Sequence, residues 1–125
     1  MGDVGGSAEK PSAQVTEGGS EQAAVEWYER AGACVVVARG EYDLNTLGPL
    51  TAALEKAAEE HRKVVLETSG VRFADSMFLT LLVNVHRRTD LRVAAPTPQL
   101  QRVLELTGVD ALLPVRETVE DAIAA

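Results

Sequence analysis

The sequence predicts an α/β domain built on a mixed sheet of four to five strands, with an N-terminal hairpin and about four helices packed on it. Two observations predict this class. Short apolar runs, Cys34–Ala38, Val64–Leu66 and Leu91–Ala94, alternate with longer stretches whose apolar residues recur at helical spacing. Strand, helix, strand in that order implies parallel strands joined by right-handed crossovers. Aromatic residues are only 4% of the chain, so the core must come from Val, Leu and Ala, which is ordinary for a small domain of this class.

Residues 1–23 are rich in Gly, Ser, Glu and Ala and carry little apolar surface to offset the entropy of ordering. They are predicted to be a disordered tail ahead of a single domain at residues 24–125. Val25 and Trp27 alternate with Glu26 and Tyr28 at strand period, and the turn Arg30-Ala31-Gly32 joins them to Cys34–Ala38 as a hairpin anchored by Trp27. Gly40–Asn45 reads as a polar loop, with Asn45 or Thr46 capping the next helix and Pro49 tolerated in its first turn.

In that helix Leu47, Leu50, Leu54 and Ala57 share one face while Glu55, Lys56, Glu59 and Glu60 turn away. Val64, Val65 and Leu66 are apolar at successive positions, as befits a strand covered on both faces. The crossover should bring Asp43, at the end of the second strand, toward Asp75 and Ser76, which follow the third. A polar turn ending in Asp75-Ser76 then opens a helix whose buried stripe is Phe78, Leu81, Leu82 and Val85. Leu79 and Val83 lie off the centre of that stripe, either as an apolar docking patch or as the margin of a wider core face.

After the strand Leu91–Ala94, Thr97 and Pro98 read as N-cap and first residue of a helix that buries Leu100, Val103 and Leu104 and stops at Gly108. A short strand around Leu112–Val115 and a helix opened by Thr118 complete the chain.

Charge narrows the function. The net charge is −7, and binding to nucleic acid or to an anionic membrane surface needs a basic face, so neither is expected. Arg87, Arg88 and Arg92 form the one basic cluster and are read as complementing a helix C-terminus. The single cysteine, Cys34, rules out an intrachain disulfide and reads as a buried strand thiol in a reducing compartment. There is no membrane-spanning run and no signal core at the N-terminus, which predicts a cytoplasmic protein. His61 and His86 stand without partners at metal-ligand spacing, and neither a nucleophile elbow nor a phosphate-cradling glycine loop occurs. No metal site, no catalysis and no bound cofactor are expected.

The chemically marked position is Ser76. Helix-initial N–H groups lack intrahelical acceptors, so Ser76 or Asp75 is placed to cap them, and the same groups can hold a phosphoryl group carried by Ser76. Spacing alone leaves both roles open.

Three ordered segments carry a resemblance: Gly40-Glu41-Tyr42-Asp43-Leu44, the turn Gly70-Val71-Arg72-Phe73-Ala74-Asp75-Ser76 after a V-V-L strand, and Leu104-Glu105-Leu106-Thr107-Gly108. Together they resemble the STAS domain, and in particular bacterial anti-sigma factor antagonists. The resemblance implies a STAS fold and a switch at Ser76. An anti-sigma factor serine kinase would phosphorylate that serine, and the unmodified form would capture the kinase and free its sigma factor. ATP and magnesium would belong to the kinase. The same resemblance places Asp43, Asp75, Ser76, Met77, Phe78 and Leu79 at the partner surface, with Met77 where the family usually has Ser or Thr and Phe78 where it usually has Gly. Two other readings stand beside it. One is a constitutive scaffold subunit of a stressosome-like or lipid-transport assembly, in which Ser76 only caps its helix. The other is a nucleotide-binding protein.

Overall fold

The computed structural model describes residues 23–125. The expected disordered tail lies outside them, except that Ala23, assigned to the tail, is the first residue of a strand. The chain runs β1 (Ala23–Arg30), β2 (Ala33–Tyr42), α1 (Gly48–Glu60), β3 (Lys63–Ala74), α2 (Ser76–His86), β4 (Asp90–Ala94), α3 (Pro98–Thr107), a 3-10 turn (Val109–Ala111), β5 (Val115–Arg116) and α4 (Val119–Ala124). The five strands lie in the sheet in chain order, with β1 antiparallel to β2 and every later pair parallel.

Three crossovers of one hand, each stepping one strand along the sheet, must place α1, α2 and α3 on the same face. The packing shows it. Cys34, Val36, Val64, Leu66, Leu91 and Val93 point into the main core, which α1 closes with Leu50 and Leu54, α2 with Phe78, Leu82 and Val85, and α3 with Leu100 and Leu104. The intervening Val35, Val65 and Ala94 point the other way and are covered by Ala122 of α4. Strand alternation thus explains why Val64–Leu66 is apolar without a break.

The β1–β2 hairpin turns through Ala31 and Gly32, with φ of 52° and 82°. Two left-handed central residues make a turn of type I′, which asparagine tolerates better than alanine. Ala31→Asn is expected to stabilise the fold by about 0.5–1 kcal/mol, read from the urea midpoint. A midpoint unchanged or lowered would contradict that turn geometry.

Several elements differ from expectation. β2 continues to Tyr42 and β3 to Ala74, so the segments read as loop and turn are strand. α1 is capped by neither Asn45 nor Thr46: its N-cap is Leu47, with no side-chain bond. The last strand is Val115–Arg116, because the 3-10 turn takes up residues 109–111. The arginine cluster divides: Arg88 approaches Glu55 and Glu59 of α1 at 4.0 and 3.9 Å. Arg92 is buried in β4, pairs with Asp90 at 2.6 Å and donates to the carbonyls of Ala122 and Ile123 at 2.7 and 3.0 Å. It does complement a helix C-terminus, but that of α4, where Lys63 joins it at 2.6 Å from the Ile123 carbonyl. That ion pair holds the Asp90 carboxyl below its ordinary range.

Thr97 and Thr118 cap α3 and α4, accepting from Leu100 N and Asp121 N, and Gly108 ends α3 in the left-handed conformation at φ 82°.

Candidate functional site

The site is made where β2 and β3 outrun β4. β4 makes its last pair with β3 at Glu67↔Ala94, whereas β2 and β3 go on pairing to Tyr42↔Ala74. Residues 39–42 and 70–74 therefore form a ribbon that extends beyond β4, along which β1 stays paired with β2 at Ala24↔Arg39 and Ala23↔Gly40. Two register shifts bend it, and Gly40, at φ 104°, sits at the second. A side chain at Gly40 would be strained by that φ, and a Cβ on Gly70 would lie 2.8 Å from Arg39 Cγ.

At the tip the chain leaves both strands side by side, and the Asp75 N–H donates to the Tyr42 carbonyl at 3.3 Å. The structure thus brings Asp43 and the Asp75-Ser76 turn to one end of the sheet. Asp43 organises the first loop: its Oδ1 accepts from Asn45 N at 2.8 Å and Thr46 N at 3.2 Å. The buried Thr46 hydroxyl is spent inside that loop, accepting from Asp43 N at 3.0 Å and donating to the Glu41 carbonyl at 2.8 Å. This is why it does not cap α1.

Asp75 organises the second loop. Its backbone is extended (φ −101°, ψ −171°), and its Oδ1 accepts from Met77 N at 2.9 Å and Phe78 N at 3.3 Å. The N-cap of α2 is therefore Asp75, and Ser76 is the first helical residue, exposed to solvent. A phosphoryl group on Ser76 would meet two amides already occupied by a carboxylate. In the unmodified protein those two amides serve Asp75, which fills the capping role that spacing had left open between Asp75 and Ser76.

Phe78 is also corrected. Its ring is fully buried and packs against Tyr42, with centroids 5.8 Å apart and planes at 40°. It belongs under the site and not at its partner surface. Leu79 is half-buried and packs on the core with Val83, so the wider core stripe is the arrangement found. Met77 is 43% exposed.

Tyr42 holds the tip to the body. Its hydroxyl donates to the Ala24 carbonyl at 2.8 Å and accepts from Arg39 N at 3.2 Å. Burial pushes that phenol up to about 12 from its ordinary 10.0. A proton kept longer in the folded than in the unfolded chain stabilises fully below pH 10 and is lost as pH rises through 12. Tyr42→Phe should cost about 1–3 kcal/mol at neutral pH by orphaning two backbone groups. That deficit should close by about 2 kcal/mol between pH 10 and 12. A parallel offset across that range, measured by urea unfolding, would contradict the buried phenol. Cys34, pushed by burial to about 11, affects both proteins alike.

The sequence did not single out Leu44 and Phe73, 71% and 52% exposed, which adjoin Asp43 and the Asp75-Ser76 turn along the chain. An apolar residue following Asp43 in a polar loop was the available signal for Leu44. Nor did it show the groove of about 200 Å³ that leaves Met77 and runs between α1 and α2 past Thr51, Thr80, Asn84 and Arg88. Among the described residues no helix is long and apolar enough to cross a membrane.

The family model described as the Mlab STAS domain covers residues 28–114. The chain belongs to the STAS-domain family. Its fold is similar to that of an anti-sigma factor antagonist from Mycobacterium paratuberculosis, with 26% identity, a TM-score of 0.77, and coverage of 85% of this chain and 96% of that one. An anti-sigma factor antagonist (STAS) domain protein from Planctomyces limnophilus is 19% identical, with a TM-score of 0.69 over 80% of this chain and 95% of its own. The Bacillus cell fate determinant SpoIIAA, in its phosphorylated form, is 18% identical, with a TM-score of 0.62 over 80% and 96%. No match is found among curated proteins. The last two likenesses concern the STAS fold.

Proposed function

We propose that this STAS domain is a cytoplasmic anti-sigma factor antagonist, a binding module and not a catalyst, controlled by phosphorylation of Ser76. In its unmodified form it captures an anti-sigma factor kinase and so releases the sigma factor. ATP and magnesium are the kinase's. The observation that carries the reading is the division of labour at the start of α2: Asp75 supplies the cap, which leaves the exposed Ser76 hydroxyl free for chemistry. The likeness to the mycobacterial antagonist supports the choice of partner.

Electrostatics supports the direction of the switch. Phosphate adds about −1.5 to −2 charges. Here it adds them beside Asp75 and near Asp43, with the adjacent amides already taken, so the new charge faces outward to the partner. Leu44, Phe73 and Met77 supply apolar contact around it. The alternative, a constitutive scaffold in which Ser76 only caps its helix, draws no support from the capping, which Asp75 supplies.

The test is phosphopeptide mapping of the protein isolated from its source cells in growing and arrested states. Phosphate on Ser76 in one state, and none on a Ser76→Ala form, is expected. Equal labelling of the Ser76→Ala form, or no phosphate in any state, would sink the switch.

A further inference from the structure

We propose that the outer edge of β1 joins two copies of this chain into a twofold dimer, the two β1 strands running antiparallel with Tyr28 of one opposite Tyr28 of the other. β1 is the end strand of the sheet, and among the described residues no strand lies on its outer side. It runs for eight residues and pairs with β2 without a register shift. Edge strands are commonly blunted by proline, lysine or a bulge, and β1 has none of these. The backbone phase shows which of its groups face outward. The Tyr42 hydroxyl sits between the Ala24 carbonyl and the Arg39 N–H, at 2.8 and 3.2 Å, so Ala24 turns its polar groups toward β2. Alternation turns those of Glu26, Tyr28 and Arg30 the same way and leaves those of Val25, Trp27 and Glu29 facing out. The two-residue turn at Ala31-Gly32, closed by the Arg30↔Ala33 pair, gives the same phase.

Charge selects both the occupant and the register. The side chains of Glu26, Tyr28 and Arg30 lie on the α4 side of the sheet: Glu26 reaches Arg39 at 3.2 Å, Arg30 reaches Glu120 of α4 at 2.9 Å, and Tyr28 packs on the cluster of Val35, Val65, Ala94 and Ala122. A twofold axis through an antiparallel pair sets one residue opposite its own copy. Centred on Glu26, Glu29 or Arg30, the axis sets like charges face to face. Centred on Tyr28, it sets Glu26 of each copy opposite Arg30 of the other, and no other centre in β1 matches opposite charges. In that register Trp27 and Glu29 of one copy exchange backbone bonds with Glu29 and Trp27 of the other, which are the outward-facing groups the pairing needs. Glu26 and Arg30 then fall in non-hydrogen-bonded pairs, where facing side chains are closest. A strand of unrelated sequence has no such built-in match. The same patch serves both copies, so the assembly closes at two, and β5 at the other edge has only two residues to offer.

Sedimentation equilibrium of the full chain tests the dimer. The mean mass is expected to rise with concentration from that of one chain toward that of two. Glu26→Arg and Arg30→Glu each set like charges opposite and should weaken self-association about tenfold or more. An equimolar mixture of the two variants restores both charge pairs and should associate as the unaltered chain does. Tyr28→Cys should form an intermolecular disulfide on mild oxidation, since a non-hydrogen-bonded pair brings its Cα atoms within disulfide range and the one native cysteine, Cys34, is buried. The mass of one chain at every concentration up to about 1 mM would overturn the proposal and assign the edge to residues 1–22 or to another protein. Association that ignores both charge variants would overturn it too, because the copies would then meet elsewhere, and so would absence of the Tyr28→Cys product. The unaltered chain and the Tyr28→Cys product decide the matter even if a charge variant fails to fold.

Discussion

Phe78→Ala is expected to remove about 4 kcal/mol of folding stability, the usual cost of truncating a buried phenylalanine. A domain of this size has about 5–15 kcal/mol in total, so the variant should sit near the edge of folding. The expectation follows from a ring with no exposed surface, packed against Tyr42 directly beneath the tip. Its neighbour gives the contrast. Met77→Ala, at a 43% exposed position, should change stability by less than about 0.5 kcal/mol while weakening partner capture. Urea unfolding separates the two. A loss below about 1 kcal/mol for Phe78→Ala would return that ring to the surface.

Ser76→Asp is expected to weaken capture of the partner about 100-fold, since a like-charge juxtaposition at an interface costs several kcal/mol. Folding should change by less than about 1 kcal/mol, because an acidic residue in a helix's first turn is favoured by the helix dipole and only its nearness to Asp75 opposes it. Affinity measured by calorimetry and stability measured in urea must be read together. If both fell equally, the substitution would have broken the Asp75 cap and not the interface.

How much of this was legible depends on which interactions are local. The helix faces, the Thr97 and Thr118 caps, the Gly108 stop and the crossover that joins Asp43 to Ser76 all follow from spacing within one or two turns of chain. The ribbon does not. Thr68 to Ala74 reads as a turn because it is polar and contains Gly70, yet it is strand because β2 pairs with it, a partner some thirty residues away in sequence. Thr68 itself is buried and made tolerable by donating to the Ala94 carbonyl at 2.9 Å.

At the site, residue identities were legible and their roles less so. Asp75 and Ser76 were both candidates for the cap, and only the bonds to Met77 N and Phe78 N assign it. Phe78 carried two readings, core stripe and partner contact; helical periodicity argued for the first, and the packing agrees. Thr46 was misread because a hydroxyl just before a helix looks like a cap, whereas the Asp43 loop had already claimed it. Leu44 and Phe73 escaped notice because exposure of a single apolar residue has no sequence periodicity.

The measurement that bears most directly on Ser76 is an affinity capture from the source cells with wild-type, Ser76→Ala and Ser76→Asp baits, the bound proteins being identified by mass spectrometry. Wild type and Ser76→Ala are predicted to retain an ATP-binding anti-sigma kinase that Ser76→Asp does not. Capture of the same non-kinase proteins by all three would contradict the switch and leave Ser76 an ordinary surface residue.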